Sequence, residues 1–138
     1  MANEKLFNVG VKGIVRDGKR GVLLLHREYK SGDFWDTPGG RIDGDEDFKD
    51  TLLRELAEEL PGITGVKVGK LLGAFRLQKD IKDDISLVLL YFLVDAQLPD
   101  PVVLSEEHES SLWVTSRADL PEGLNPEIKK ILEELLRD

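Results

Sequence analysis

Three glutamates, Glu55, Glu58 and Glu59, fall at positions that a helix gathers on one side. Glu58 and Glu59 stand at i+3 and i+4 from Glu55, so on a helix all three project within roughly 100° of one another. Leu52, Leu53, Leu56, Ala57 and Leu60 occupy the adjoining arc and are expected to pack against a sheet. Like charges at these spacings cost a helix about a few tenths of a kcal/mol per pair, and Arg54 is the neighbouring residue that offsets them. An acidic run on a helix is most often a solvated face. Carboxylates bordering a core-facing stripe, however, also have the chemistry of a cation site. Mg²⁺ takes hard oxygen donors and keeps several waters, so a few glutamates together with a substrate's phosphate oxygens suit it.

The segment upstream of this helix reads Trp35-Asp36-Thr37-Pro38-Gly39-Gly40-Arg41-Ile42. Two adjacent glycines let the backbone approach a ligand closely and leave carbonyls able to turn toward a metal. Gly40 is followed after five residues by Glu46, and Glu46 after seven by Arg54-Glu55-Leu56-Ala57-Glu58-Glu59. This register resembles the Nudix box: a glycine, five residues, a glutamate, seven residues, then Arg-Glu-aliphatic-x-Glu-Glu-x-Gly-aliphatic. Gly40, Glu46, Arg54, Glu55, Leu56, Glu58 and Glu59 all match. Trp35, Pro38 and Gly39 look like the family's approach to its box, which here runs over about 40–62. The pattern departs at its end, where Pro61 stands in place of the terminal glycine and Gly62-Ile63 follow. An altered helix end is expected there. A calcium loop is excluded. Asp43, Asp45 and Asp47 have its opening spacing, but Phe48 and Arg54 stand where it needs Gly and Glu.

The resemblance implies a metal-dependent hydrolase that cleaves a pyrophosphate bond in a nucleoside diphosphate linked to another moiety. A nucleoside triphosphate or a nucleotide sugar is an example. Mg²⁺ is the cofactor implied, with Mn²⁺ as a substitute. Glu58 and Glu59 would be the main metal ligands, with Glu55 completing the site and the Gly39 or Gly40 carbonyl assisting. Glu46 and Arg54 would support the loop–helix junction, Arg54 by orienting a catalytic glutamate. The general base is open between Glu55 and Glu59 on the helix and Glu107 on a later loop. Glu107 lies six residues before Trp113, a family-like spacing, with Glu106, His108 and Glu109 as its neighbours. Arg27 and Arg76 are candidate phosphate clamps, or plain surface arginines at strand ends. Tyr29, Phe34 and Trp35 are candidates for a base pocket, while Trp113 reads as a core anchor. The alternative function is a non-hydrolytic Nudix-fold nucleotide sensor or regulator, which a broken box would favour; the charged positions here are intact. An acidic interaction domain would leave the register to chance. Nothing selects an isoprenoid diphosphate isomerase of the same fold, because the chain has no cysteine.

The elements that must position these residues are also readable. Residues 5–16, with Leu6, Val9, Val11, Ile14 and Val15, read as a strand, with a break expected at Gly10 or Gly13. Asp17-Gly18-Lys19 is a turn, Val22 to Leu25 a buried strand, and a hairpin is expected between the two. The glycine and proline density over 30–44 marks a loop. A helix is expected over about Glu46–Leu60 with Asp45 as N-cap, then a hairpin of two long strands over about 66–79 and 84–96. Leu112-Trp113-Val114-Thr115 reads as a short strand. A final helix runs from the N-cap Asn125 through Arg137, with Pro126 at its first position and Ile128, Ile131, Leu132 and Leu135 buried. The order is not a regular strand–helix alternation. It fits an α/β fold of the α+β type with a mixed sheet between helices, and the resemblance implies a Nudix-like α/β/α sandwich.

Composition sets the outer bounds. The 138 residues, 41% hydrophobic and 33% charged, suit one soluble domain over 1–138. The net charge of −8 disfavours long nucleic-acid polymers but permits a small phosphorylated partner if metal offsets the charge. The N-terminal residues lack a signal-peptide pattern, and the longest apolar run, Leu87 to Val94, is too short to span a bilayer. A cytoplasmic protein free of membranes is expected, with a homodimer as one open assembly.

Overall fold

The computed structural model describes residues 4–29 and 32–136. Among them, seven strands form one mixed sheet and two helices cover it: β1 (Leu6–Arg16), β2 (Val22–Tyr29), β3 (Gly32–Asp36), β4 (Gly39–Arg41), α1 (Phe48–Glu59), β5 (Thr64–Arg76), β6 (Ile85–Gln97), β7 (Ser110–Val114) and α2 (Pro126–Leu135). The central order is β3-β2-β1-β6-β5, with β4 also on β1 and β7 also on β2. β1 and β6 run parallel along the whole of β1, and the other pairs are antiparallel.

Alternation along the strands sorts the core into two layers. Val11, Val15, Leu23, Leu25 and Val94 meet Leu52, Leu56 and Leu60 from α1 on one face. Ile14, Val22, Leu24, Tyr91 and Val114 meet Ile128, Ile131 and Leu132 from α2 on the other. The mixed sheet between helices is therefore as expected. Among the described residues, no helix is long and apolar enough to cross a membrane.

Several local expectations are corrected. β1 does not break at its glycines, because β6 uses the space they leave. A Cβ on Gly10 would lie 2.7 Å from the Leu89 side chain, and one on Gly13 would lie 3.3 Å from Val94. The β1–β2 hairpin shrinks to the single pair Arg16↔Val22, because β4 takes the adjoining stretch of β1, from Gly10 to Lys12. The loop expected over 30–44 holds two strands, β3 and β4. Glycine breaks strands by local preference, but here it permits a close approach. Gly39 has φ +147°, and a side chain there would overlap the Val11 backbone.

α1 begins later than expected, with Asp47 rather than Asp45 as N-cap, its side chain accepting from the Asp50 N–H at 2.9 Å. Leu53 and Ala57 are exposed and Thr51 is buried. The contact stripe follows Leu52, Leu56, Glu59 and Leu60, narrower than the apolar arc. α2 is capped by Asn125, whose Oδ1 accepts from the Glu127 and Ile128 N–H groups at 2.8 and 3.4 Å. It ends at Leu135, which is half-buried. The Tyr29 side chain and Arg137 lie outside the described residues.

Candidate active site

Arg54 organises the start of the site. Its Nε and Nη2 donate to the two carboxylate oxygens of Glu46 at 2.7 and 2.9 Å, a bidentate pairing. Glu46 also accepts from the Asp43 N–H and the Thr51 hydroxyl, each at 3.2 Å. The Arg54 hydrogen bond leads the causes that hold the Glu46 carboxyl down at about 2. Arg54 Nη1 then reaches Glu55 at 3.0 Å and Glu58 at 3.5 Å. One guanidinium thus ties the loop to the helix and offsets the acidic face.

The three glutamates have different surroundings. Glu58 is 59% exposed at its side chain. Glu55 lies against β4, where a Cβ on Gly40 would overlap its carboxyl group. Glu59 is buried, 7% exposed, and its Oε2 accepts from the Gly39 N–H at 2.9 Å. Burial is the main reason its carboxyl rises to about 7. The Gly39 bond and the Lys12 charge oppose the rise, while Glu55 and Glu107 add to it.

The connection between β6 and β7 brings a second set of acids. The Ser105 N–H donates to the Glu59 carbonyl at 3.1 Å, and the Glu109 N–H to the His26 carbonyl at 3.1 Å. These bonds pin the loop across the end of α1. The result is a cleft of about 320 Å³ lined by Glu55, Glu58, Glu59, Ser105, Glu106 and Glu107. Further back, Arg20 steadies the same connection. It donates to the Leu98 and Pro99 carbonyls, pairs with Asp17, and lies 4.6 Å over the Trp113 ring. Trp113 is half-buried against the α1-side core.

The other candidates lie apart from the cleft lining. Glu109 points toward His26, 3.6 Å from its Nδ1. Arg76 is exposed, its guanidinium 5.0 Å over the Phe7 ring, at the edge of a second cavity of about 180 Å³ on the α2 side. Arg27 stands opposite Phe34 between β2 and β3 and acts electrostatically on His108. The Trp35 ring lies 4.9 Å from that of His26, tilted by 49°, and packs into the α2-side core, and Phe34 is exposed. His108 is held below its ordinary value by burial and then by the Arg27 charge. Sequence reasoning missed three residues. Ser105 lines the cleft with a buried hydroxyl that has no partner among the described residues. Lys12 and Asp36 form an ion pair at 3.3 Å. A lysine amid the apolar run of β1 was a signal for the pair; nothing in the sequence marked Ser105.

The cleft's donor set suits a hard divalent cation: carboxylate oxygens from two elements, with an orphaned hydroxyl beside them. Among the described residues, no three such groups converge closely enough to enclose an ion as placed. Arg54 engages Glu55 and Glu58, and the Gly39 N–H engages Glu59. Glu58 and Glu107 are exposed members of the set.

Known proteins resemble this chain in fold and in sequence. The chain is 36% identical over 62 residues to a protein of Proteus vulgaris named 8-oxo-dGTP diphosphatase, a match spanning 44% of this chain and 54% of that one. It is 29% identical over 131 residues to an Escherichia coli protein named CTP pyrophosphohydrolase, covering 94% of this chain and 90% of that one. The crystal structure of a MutT protein from Methanosarcina mazei superposes with a TM-score of 0.74 at 26% identity, covering 96% and 95% of the two chains. The family model described as the NUDIX domain matches residues 6–135, nearly the whole chain, and the protein belongs to that family.

Proposed function

We propose that this Nudix pyrophosphohydrolase acts on a nucleoside triphosphate, splitting it into a nucleoside monophosphate and pyrophosphate with Mg²⁺ as cofactor. The observation that carries the reading is the cleft in which Glu55, Glu58 and Glu59 of α1 face Glu106 and Glu107 across the loop. The names of the two relatives, a dGTP-derivative diphosphatase and a CTP pyrophosphohydrolase, support the substrate class.

In the reaction, water adds to one phosphorus of the anhydride. The bridging oxygen leaves with the other phosphate, and the water's proton passes to a carboxylate. Glu58 and Glu59, with Glu55, would hold the metal. When bound, Mg²⁺ supplies charge neutralisation at the phosphates and lowers the cost of placing a polyanion among glutamates. Arg54, anchored by Glu46, holds the Glu55 side chain and lies within 3.5 Å of the exposed Glu58. The Gly39 N–H fixes Glu59. Glu107, lining the opposite wall, is the proposed proton acceptor.

The test is a substrate screen with product identification by ³¹P NMR, across nucleoside triphosphates, nucleotide sugars, dinucleoside polyphosphates and ADP-ribose. A triphosphate yielding monophosphate and pyrophosphate is expected to lead. Preference for a nucleotide sugar or ADP-ribose would overturn the substrate class. Release of inorganic phosphate alone would overturn the bond assigned.

A further inference from the structure

The carboxylate account leaves one half-buried cation, Lys12, unused. Lys12 stands in the middle of β1, between residues of the two cores. Val11 and Val15 face α1 and Ile14 faces α2, so strand alternation places Lys12 on the α2 side. Its backbone pairs with Gly39 on one flank and Tyr91 on the other. The Gly39 N–H holds Glu59 of the carboxylate cleft. Tyr91 lines the second cavity with Phe75, Leu89, Asn125 and Glu127. The strand neighbours of Lys12 thus lead one to each cavity, Gly39 through its bond to Glu59 and Tyr91 directly.

The lysine side chain is 14% exposed, and its Nζ lies 3.3 Å from Asp36 Oδ2. That is longer than the roughly 2.8 Å of a well-formed charged pair. An ammonium has three donors, and Asp36 accepts from one of them. The charge is felt at Glu59 and at His108. A partly exposed pair at this length contributes little to stability, so holding the fold together explains it poorly.

We propose that Lys12 is a substrate-contacting residue whose Nζ donates to a non-bridging phosphate oxygen between the carboxylate cleft and the α2-side cavity, with Asp36 holding it in place. The inference rests on the proposed function, because it assumes a phosphorylated substrate at that cleft. A polyanion there meets at least five glutamates. Lys12 offers it a protein cation on the sheet side, whatever the glutamates hold.

The test uses the full chain and three readouts: affinity for imidodiphosphate in Mn²⁺ by calorimetry, affinity for Mn²⁺ alone, and the thermal midpoint. Lys12→Met is expected to weaken imidodiphosphate at least about tenfold, as for loss of a hydrogen bond to a charged group. Mn²⁺ alone should bind as tightly as to wild type or more tightly, since a nearby positive charge is gone. Asp36→Asn keeps the ammonium and should change imidodiphosphate binding less than about threefold. Should Lys12→Met fail to fold, Lys12→Gln, which keeps a polar end for Asp36, carries the same expectation. Imidodiphosphate affinity within twofold of wild type in the folded lysine variant overturns the proposal. Equal losses in Lys12→Met and Asp36→Asn, each with a lowered midpoint, would make the pair a structural brace and also overturn it. If wild type binds both probes and only the lysine variant is unaffected, the proposed function stands without Lys12. If wild type binds neither, the proposed function itself has failed and Lys12 falls with it.

Discussion

Replacing Glu59 with glutamine should stabilise the metal-free protein, and by an amount that grows with pH. Glu59 is 7% exposed, and burial first of all moves its carboxyl from an ordinary 4.5 to about 7. The folded pKa lies above the unfolded one, so the folded state holds the extra proton between these values. Stability is therefore highest below about 4.5 and declines as pH rises to about 7. A displacement of that size is worth on the order of 3 kcal/mol, of which about 2–3 kcal/mol is lost between pH 5 and pH 8. The substituted amide has no charge at any of these pH values and keeps an acceptor for the Gly39 N–H. The difference in Tm between variant and wild type should thus widen by roughly 5–10 °C from pH 5 to pH 8. Titrating groups remote from Glu59 are common to both proteins and cancel. The assay is calorimetric unfolding of both proteins under chelation at several pH values. Saturating Mg²⁺ should then close the gap, because a bound cation favours the carboxylate. A difference that stays constant with pH, or a variant less stable at pH 8, would refute a buried, destabilised anion at this position.

Three further outcomes follow from the same geometry. Glu107→Gln should lower kcat more than Glu106→Gln, and Glu109→Gln least of all, because Glu109 lies by His26 outside the cleft; equal small losses in steady-state rates would return the proton acceptor to α1. Glu46, held at about 2 chiefly by Arg54, contributes stability that is present above its unfolded 4.5 and is lost as pH falls toward 2; acid titration of Glu46→Gln should lack that loss, and an unchanged acid limb would contradict it. Gly39→Ala should destabilise strongly, since φ +147° and the Val11 backbone leave no room for a side chain. Gly40→Ala meets the Glu55 carboxyl instead, so it should cost activity more than stability; melting curves beside rates separate the two, and equal effects would refute the distinction.

The helix face was legible because i, i+3 and i+4 spacing converts directly into shared orientation once a helix forms. Gly40, Glu46 and the Arg54–Glu59 run were legible through a register that resembles a known family. The sheet between two helices was legible from the order of the elements and from the apolar stripe on α2. What escaped depends on contacts distant in sequence. The parallel pairing of β1 with β6 has no local signature. β4 was hidden because its glycines read as breakers, whereas their lack of side chains is what admits them beside Val11 and Glu55. The burial of Glu59, and with it the shift of its carboxyl, comes from the loop and strand packed on the end of α1. Ser105 reaches the cleft through a backbone bond to Glu59, which nothing about a lone serine announces.

The central claim is that the Glu55, Glu58 and Glu59 face, with the loop acids opposite, is a catalytic divalent-cation site. It is tested most directly by nucleoside triphosphate hydrolysis after exhaustive chelation, then on adding back Mg²⁺, for wild type and Glu58→Gln side by side. The account predicts no turnover under chelation, restoration by Mg²⁺ in wild type, and a rate roughly a thousandfold lower in a folded Glu58→Gln variant. Full turnover without divalent cation, or a near-normal Mg²⁺-restored rate in Glu58→Gln, would contradict it.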